Sequence, residues 1–470
     1  MSAFEDEISS SLADELRAYV SDGVALPGDG RYAAACRLWN GAVQHRPAVV
    51  AFCTRAEEVA GAVRVARRHG LPLSVRGGGH DWAGRALRDG GLALDLTGMR
   101  DVAVDPRARV ATVAGGARVK DVATVAGAHG LVPVAGNCGS VGMAGLALGG
   151  GYGPFSGTGG LAADNLLGAE VVLADGRRVT TGPDAEPDLF WAIRGGGGNF
   201  GVVTSLRLRL HEARDVLGGS IVYPWGEAAD VLRRYAQFAA DMPEELGVAV
   251  GMMSGPDGEP AVSLLPLWNG DKRRGERVMA DLRAFGTPHL AEVGPTTYSD
   301  VLAQIDAWVE QRDGFHWETR TRSLPALAPG AVDAIVAAVS RRTSPHSVIF
   351  SHHFHGAATR VAPDAAAFGL RRAHFMVEII PGWQPDGGDG AAHRRWARDL
   401  WRNLAPFALP GGYANLLGPD DREQARDAYG GNAARLRALK RRYDPDGVFA
   451  SAIPLPGERS FSNRGKEQVS

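Results

Sequence analysis

The sequence has few cysteines, 3 in 470 residues, and it has no long apolar run. An odd number of cysteines without metal-type spacing argues against a disulfide framework and against a zinc site. No segment reaches the roughly 20 consecutive apolar residues of a membrane span, and the opening, residues 1–20, is acidic where a secretory signal would be basic and then apolar. We therefore expect a globular cytoplasmic protein with no metal site and no membrane partner.

Neither sign of charge dominates. The 51 basic and 53 acidic residues are interspersed and give a formal net charge of -2, so no basic surface indicates binding to nucleic acid. The 45% hydrophobic content allows large buried cores. A small molecule is the expected partner, and the composition leaves the oligomeric state open.

Glycine, by contrast, is abundant. Many of the 63 glycines lie between residues 76 and 201, with three in a row at 77–79 directly before His80. A second cluster, residues 136–153, would let backbone N–H groups approach a phosphate chain. The simple dinucleotide fingerprint fits this cluster poorly, because no clear strand precedes it and Pro154 interrupts the following helix. The pattern therefore indicates an extended anionic cofactor and argues against nicotinamide.

Strands and helices alternate in the first half. Residues 48–53 read as a strand, Thr54 as an N-cap with Glu57 three residues later, and the next residues as a helix to His69, followed by Gly70 and a second strand. This is a βαβ unit. Further strands are expected at 92–95, 101–104 and 109–113, a helix at 119–129, a hairpin around 174–176 and a long strand to residue 210.

The second half has a different pattern. Strands at 248–253, 261–267, 347–355 and 374–380 alternate with helices, which predicts an antiparallel sheet covered by helices. Residues 411–421 are predicted to form a strand, followed by a helix and a short terminal segment. The fold class is therefore α+β.

Several motifs occur together in a recognisable order. They are RGGGH at 76–80, G-x-C-x-x-V-G at 136–142, GGG-x-G at 149–153, DLFWAIRGGGGNFGVVT at 188–204, YAN at 413–415 and YDPDGVF at 443–449. In these motifs the chain resembles the berberine bridge enzyme-like FAD-linked oxidoreductases of the vanillyl-alcohol oxidase superfamily. The resemblance covers roughly residues 35–456, although 216–345 match only in general character, and Gly447 replaces the asparagine common after D-P-D.

The resemblance implies a domain arrangement. A PCMH-type FAD-binding domain of two α/β subdomains would comprise residues 1–215 and 411–456. A substrate domain, 216–410, would contain the antiparallel sheet, and residues 457–470 would form a flexible tail.

The resemblance also implies covalently bound FAD. His80 would bond to the 8α-methyl carbon of the flavin, and Cys138 to C6 of the same ring. The residues that would contact the cofactor are Arg76, Gly77, Gly78, Gly79, Val141, Gly142, Gly145, Gly149, Gly150 and Gly153 along the glycine segments, Asp164 and Asn165 ordering the pyrophosphate loop, Phe200, Gly201 and Val203 along the adenine and ribose, and Asn415 near the pyrimidine end. A valine at position 141 accompanies oxidases in this family.

The expected activity is an FAD-dependent oxidase. It would take a hydride from an alcohol or activated C–H bond of a secondary metabolite or sugar and pass the electrons to O2, giving H2O2. A flavin-carrying protein that binds an aromatic compound without turnover is the alternative. Oxidation needs a base, and the candidates are Tyr413, His353 and Glu378. Tyr413 fits equally as a packed aromatic residue, and His353 and His355 could face the cavity, solvent or helices.

Overall fold

The computed structural model describes residues 11–255, 257–418 and 420–449, together with Ile453 and Leu455. The tail predicted at 457–470 lies outside the described residues.

The strands, in chain order, are β1 (Val24–Ala25), β2 (Val49–Phe52), β3 (Leu73–Arg76), β4 (Leu92–Asp95), β5 (Val102–Asp105), β6 (Val110–Ala114), β7 (Leu131–Pro133), β8 (Leu166–Val172), β9 (Arg178–Thr181), β10 (Val202–Glu212), β11 (Asp215–Pro224), β12 (Leu246–Ser254), β13 (Pro260–Gly270), β14 (Leu290–Pro295), β15 (His316–Trp317), β16 (Arg320–Leu324), β17 (Val348–Phe354), β18 (His374–Ile380) and β19 (Gly382–Trp383). The helices are α1 (Gly30–Ala35), α2 (Ala56–Arg68), α3 (Val119–Gly127), α4 (Met143–Leu148), α5 (Ser156–Gly159), α6 (Pro187–Ile193), α7 (Ala228–Ala239), α8 (Lys272–Arg283), α9 (Tyr298–Glu310), α10 (Pro329–Val339), α11 (Ala357–Arg360), α12 (Ala391–Asn403), α13 (Arg422–Asp427) and α14 (Ala433–Tyr443).

The first sheet contains the predicted βαβ unit. Its strand order is β1-β2-β4-β3, and β2 and β3 both run parallel to β4. Helix α2 starts later than predicted, with Arg55 as the N-cap residue. The side chain of Glu58, not Glu57, reaches back and accepts the backbone N–H of Thr54 at 2.7 Å. Glu58 takes this role because its carboxylate is buried there and also pairs with Arg55.

The second sheet is antiparallel, with the order β5-β6-β10-β8-β9 and with β7 paired to the end of β10. Strand β10 is central. Its residues alternate between buried and exposed along much of its length, as its period-two sequence predicts. The first two sheets and their helices make up the half of the molecule that carries both glycine segments.

The third sheet has seven antiparallel strands in the order β14-β11-β13-β12-β17-β18-β16. The first of these strands along the chain is β11, which directly follows the last strand of the second sheet, β10. The change of sheet lies near the predicted domain boundary at residue 215. One face packs on α7, α10 and α12, where Ile349, Phe375, Val377 and Ile379 join the helix-side core. Because neighbouring residues of a strand point to opposite faces, the even-numbered residues of β17 and β18 point away from these helices.

The predicted strand at 411–421 is wrong. Residues Ala414–Leu416 form a 3₁₀-helix instead. The Gln424 amide donates to the backbone carbonyls of Gly411 and Thr321, both at 3.0 Å. A side chain therefore satisfies the backbone oxygen that a neighbouring strand would otherwise use. Within the described ranges, no helix combines the length and apolarity that a membrane span requires.

Candidate active site

The two glycine segments meet directly. Gly78 follows β3, and Gly142 is the N-cap residue of α4. A Cβ at Gly78 would overlap the backbone nitrogen of Gly142 and would lie 2.8 Å from the carbonyl oxygen of Ser140. Only glycine allows this close approach. The absence of a side chain at position 78 therefore permits the loop that carries His80 to pack against the loop that carries Cys138.

His80 lies in a largely apolar setting. Its ring stacks on Trp39, with centroids 5.6 Å apart and planes 15° apart. Burial lowers the pKa of His80 to about 4, although the negative charge of Asp306 acts in the opposite direction. The imidazole is therefore neutral near pH 7, which leaves a nitrogen lone pair free for bond formation.

Cys138 has two polar neighbours. Its Sγ lies 3.2 Å from Oγ of Ser140 and 3.5 Å from Oδ1 of Asp306. Burial raises the thiol pKa to about 11; the hydrogen bond with Ser140 lowers it, and the charge of Asp306 raises it further. Asp306 acts electrostatically on both His80 and Cys138, so the two nucleophiles share one neighbourhood.

The residues around these loops fit FAD. Position 145, inside α4, has no atom within 4 Å of where a Cβ would stand. A neutral imidazole, a thiol and a backbone path free of side chains match the donor set that a covalently held flavin needs. When bound, FAD supplies the two-electron acceptor.

Tyr413 lies at the far end of the second glycine cluster. Its hydroxyl oxygen accepts hydrogen bonds from the Gly151 backbone N–H and the Asn415 side-chain amide, both at 2.9 Å. Burial raises the pKa of Tyr413 to about 12, while these two donors lower it. Asn415, predicted near the flavin pyrimidine, also donates to the carbonyl of Leu146 at 3.2 Å.

An aromatic group surrounds Tyr413. Its ring stacks on Tyr152, with centroids 4.6 Å apart and planes 20° apart. The Tyr152 hydroxyl lies 3.0 Å from Nε2 of His374, and the His374 ring stacks on Phe354. Because burial lowers the pKa of His374 to about 4, this imidazole is neutral at pH 7.

Glu378 shares the sheet face of His374. The register places Phe350 opposite Glu378 and Phe354 opposite His374. Glu378 is 8% exposed and lies 3.2 Å from Nε2 of His352. Its negative charge adds to burial in raising the pKa of Tyr152 and of Tyr413, so the carboxylate is within electrostatic reach of both phenols.

The structure does not bring His353 to this group. Its side chain lies on the opposite face, stacked on Phe375 at 4.4 Å and on His355 at 4.7 Å between centroids. Phe375 belongs to the core under the helices. This corrects the hypothesis that His353 enters the cavity, because strand alternation directs it to the helix layer. No group of three His, Cys, Asp or Glu side chains in the described part of the chain could hold a metal ion.

Asp164 and Asn165 hold the loop at residues 159–165 by hydrogen bonds. The Asp164 carboxylate accepts the N–H of Leu161 at 2.8 Å. The Asn165 amide donates to the carbonyls of Gly159 and Leu161, at 2.7 and 2.8 Å. Asp164 also binds Arg371, which the sequence did not predict.

The segment predicted to lie along the adenine and ribose is closely packed. Phe200 is 0% exposed and Val203 is 5% exposed, and both side chains pack in the core of the second sheet. Gly201 packs against Val171 and Val172. The side chains of Phe200 and Val203 therefore support the sheet, and contact of this segment with the adenine and ribose stays a prediction.

The remaining predicted cofactor residues lie in the two glycine segments, at or near the ends of β3, α4 and α5. Arg76 ends β3 and pairs with Asp95 at 2.7 Å. Val141 is partly buried against the core, and its carbonyl accepts the N–H of Val119 at 2.9 Å. The glycines follow the same two segments: Gly77 and Gly79 after β3, Gly149 and Gly150 at the end of α4, and Gly153 just before α5.

Comparisons with known proteins agree with this geometry. Residues 47–182 match the family described as FAD binding domain, and residues 412–456 match the family described as berberine and berberine like. The (R)-6-hydroxynicotine oxidase of Paenarthrobacter nicotinovorans is 31% identical over 469 residues, covering 96% of this chain and 100% of that protein. The xylooligosaccharide oxidase of Thermothelomyces thermophilus is 30% identical, covering 87% of each chain. The crystal structure of 6-hydroxy-D-nicotine oxidase from Arthrobacter nicotinovorans matches with a TM-score of 0.84 at 30% identity, covering 93% of this chain and 98% of that chain.

The chain belongs to the berberine bridge enzyme-like FAD-linked oxidoreductases. The α+β architecture predicted from the pattern of strands and helices is confirmed by this likeness, and so is the assignment to a family of FAD-linked oxidases.

In this berberine bridge enzyme-like protein, sequence reasoning missed several residues of the site. His352, His374 and Tyr152 were not proposed, although strand alternation from Glu378 predicts that His374 shares its face. Tyr152 stands inside the GGG-x-G motif, whose glycines give no indication that an aromatic ring belongs to the site. Nothing in the sequence indicates that Asp306 contacts Cys138, because the two residues are 168 positions apart in the chain.

Proposed function

We propose that this protein is an oxidase whose FAD is bonded to both His80 and Cys138. Its substrate is a small molecule, a secondary metabolite or a sugar, that loses a hydride from an alcohol or activated C–H carbon. O2 takes up the electrons and leaves as H2O2. The observation that carries the proposal is the contact of the two glycine loops at Gly78 and Gly142, because it sets both nucleophiles at one site.

The protonation state of His80 and the free thiol of Cys138 support this proposal. His80 is neutral near pH 7, so the imidazole can attack without first losing a proton to solvent. Cys138 is a free thiol, as are Cys36 and Cys53, but those two are buried in hydrophobic core clusters.

Glu378 is the proposed proton acceptor for the substrate, and Tyr413 is the proposed binding partner of the substrate oxygen. The carboxylate is a stronger base than a neutral phenol, and it pairs with His352 on the sheet face that carries the aromatic group. Tyr413 already accepts two hydrogen bonds, which favour its ionised form. Proton transfer from the substrate to Glu378, with Tyr413 holding the substrate oxygen, fits this arrangement.

A peptide map of the denatured protein tests the flavin linkage. We expect wild-type protein to remain yellow after acid precipitation, with flavin on the peptides of both His80 and Cys138. His80→Ala and Cys138→Ala should each retain one bond, and the double variant should release its flavin. Cys36→Ala is the matched control, since it removes a buried thiol outside the glycine loops. An unchanged absorbance spectrum in Cys138→Ala would exclude the second bond.

Peroxide release tests turnover against sequestration. The relatives named above act on a hydroxynicotine and on xylooligosaccharides, so the screen should contain hydroxylated N-heterocycles, sugars and hydroxylated polycyclic compounds. An oxidase bleaches its flavin absorbance anaerobically with its substrate and releases peroxide in air. Binding that leaves the flavin oxidised in the absence of air would support sequestration.

A further inference from the structure

Asp306 connects the substrate half of the molecule to the cysteine loop. It lies in the middle of α9, which packs against α3 of the flavin half. The residue is 6% exposed. A buried carboxylate needs partners, and those of Asp306 all lie on the opposite half of the molecule.

These partners hold the carboxylate in one orientation. Its Oδ1 accepts the backbone N–H of Ser140 at 3.0 Å and lies 3.5 Å from Sγ of Cys138, which donates to it. Its Oδ2 lies 3.2 Å from Nζ of Lys120. One oxygen is thus directed at the thiol, while the other is held by a cation.

We propose that Asp306 accepts the thiol proton of Cys138 when this cysteine bonds to FAD. The inference rests on the doubly linked flavin proposed above. In the step, the Sγ–H bond breaks and its proton passes to Asp306, the Sγ–C6 bond forms, and the hydrogen of C6 leaves as a proton. The electron pair stays on the flavin, and O2, the acceptor of the proposed activity, carries it away as H2O2.

The charges around the thiol explain why a base is needed. Burial raises the pKa of Cys138, and the charge of Asp306 also raises it, so the resting thiol keeps its proton near pH 7. Hydrogen bonds from Lys120 and Ser140 lower the pKa of Asp306 against the effect of burial, so this group is ionised. The thiol must therefore lose its proton as the bond forms, and Asp306 is the ionised group in hydrogen-bond contact with it.

His80 provides an internal reference. Asp306 acts on it only through charge, with no hydrogen bond between them among the described contacts. Loss of the carboxylate should therefore slow the bond of Cys138 and leave the bond of His80 intact. A protein whose FAD site is distorted would lose both.

The test compares wild-type protein with Asp306→Asn, Asp306→Glu and Glu310→Gln. Asparagine keeps an oxygen for the Ser140 N–H but is not a base, glutamate keeps a carboxylate, and Glu310 is an exposed carboxylate on the same helix. Each purified holoenzyme is incubated in air between pH 6 and 9. Proteolytic peptides carrying flavin on His80 alone or on both residues are quantified by mass and by absorbance.

We expect Asp306→Asn to carry the His80 bond and to form the Cys138 bond on the order of 100-fold more slowly than wild type at pH 7. Its rate should rise about tenfold per pH unit, because hydroxide then supplies the thiolate. Wild type, Asp306→Glu and Glu310→Gln should complete the bond at every pH.

Two results would overturn the inference in different ways. If Asp306 acts only through its charge, its removal lowers the thiol pKa, and Asp306→Asn forms the bond as fast as wild type or faster. If wild type has no flavin on Cys138 at any pH, the proposal of a doubly linked flavin is wrong, and the proposed role of Asp306 is wrong as well.

Discussion

The guanidinium of Arg371 donates two hydrogen bonds to the carboxylate of Asp164, both at 2.8 Å. The Arg371 side chain is 3% exposed and that of Asp164 is 10% exposed. Asp164 belongs to the loop after the second glycine cluster, and Arg371 stands just before β18. This buried pair therefore ties the glycine-rich half to the strand that carries His374 and Glu378.

Breaking this pair should destabilise the protein. Removing one partner leaves the other charge buried, so Asp164→Ala should lower the free energy of unfolding by about 3–5 kcal/mol. Urea unfolding followed by tryptophan fluorescence measures this change. Arg178→Ala is the control, because its pair with Glu57 is exposed at the surface and should contribute about 1 kcal/mol or less. Equal losses in the two variants would contradict the prediction.

Glu378→Gln should impair turnover without affecting cofactor loading. Loss of a general base typically lowers kcat by a factor on the order of 100–10,000. The measurement is steady-state peroxide release with a substrate found in the screen, alongside the absorbance of the bound flavin. His353→Phe is the matched control, since this side chain stands on the other face of the same sheet and should leave kcat within about twofold. A similar loss of kcat in both variants would show that the sheet, and not the carboxylate, is responsible.

Acid should destabilise the protein through its buried imidazoles. Burial lowers the pKa of His353 to about 3, with a further contribution from the charges of His355 and His374. Below the unfolded pKa of 6.5, the unfolded chain binds a proton that folded His353 does not, so the free energy of unfolding decreases as pH falls from 7 to 5.

His353→Phe should reduce this pH dependence by on the order of 1 kcal/mol between pH 7 and 5. The measurement is urea unfolding at the two pH values. The surface variant His129→Phe is the control and should leave the pH dependence unchanged. An identical slope in wild type and His353→Phe would mean that His353 is protonated in the folded state.

Val141→Ile should slow the reaction of the reduced flavin with O2. Val141 stands between Cys138 and Gly142 and is partly buried against the core, and we expect an added methylene there to restrict the approach of O2 to the proposed flavin. We expect reoxidation to slow on the order of 10-fold or more, which corresponds to an increase of at least about 1.4 kcal/mol in the barrier of the O2 step. Stopped-flow reoxidation of the photoreduced protein measures this rate. Equal rates with the covalent flavin intact would leave Val141 as a packing residue.

The sequence by itself determined the local elements and the family. The RGGGH and G-x-C-x-x-V-G motifs carry the resemblance to the family, which implies FAD and the bonds proposed for His80 and Cys138. The alternation of buried and exposed residues in β10 was equally readable. The N-cap of α2 and the 3₁₀-helix at Ala414–Leu416 were not, since buried side chains of Glu58 and Gln424 decide them.

Only the tertiary structure decided which candidates meet. Alternation separates His352 from His353, but it does not say which face turns to the aromatic group; the helices packed over Phe375 settle that. Phe200 occurs in a matching motif, yet its side chain lies in the core. Asp306 and Arg371 reach the site across 168 and 207 positions of chain, to Cys138 and Asp164. Contacts at such separations depend on how the sheets and helices pack, and no local pattern of residues encodes them.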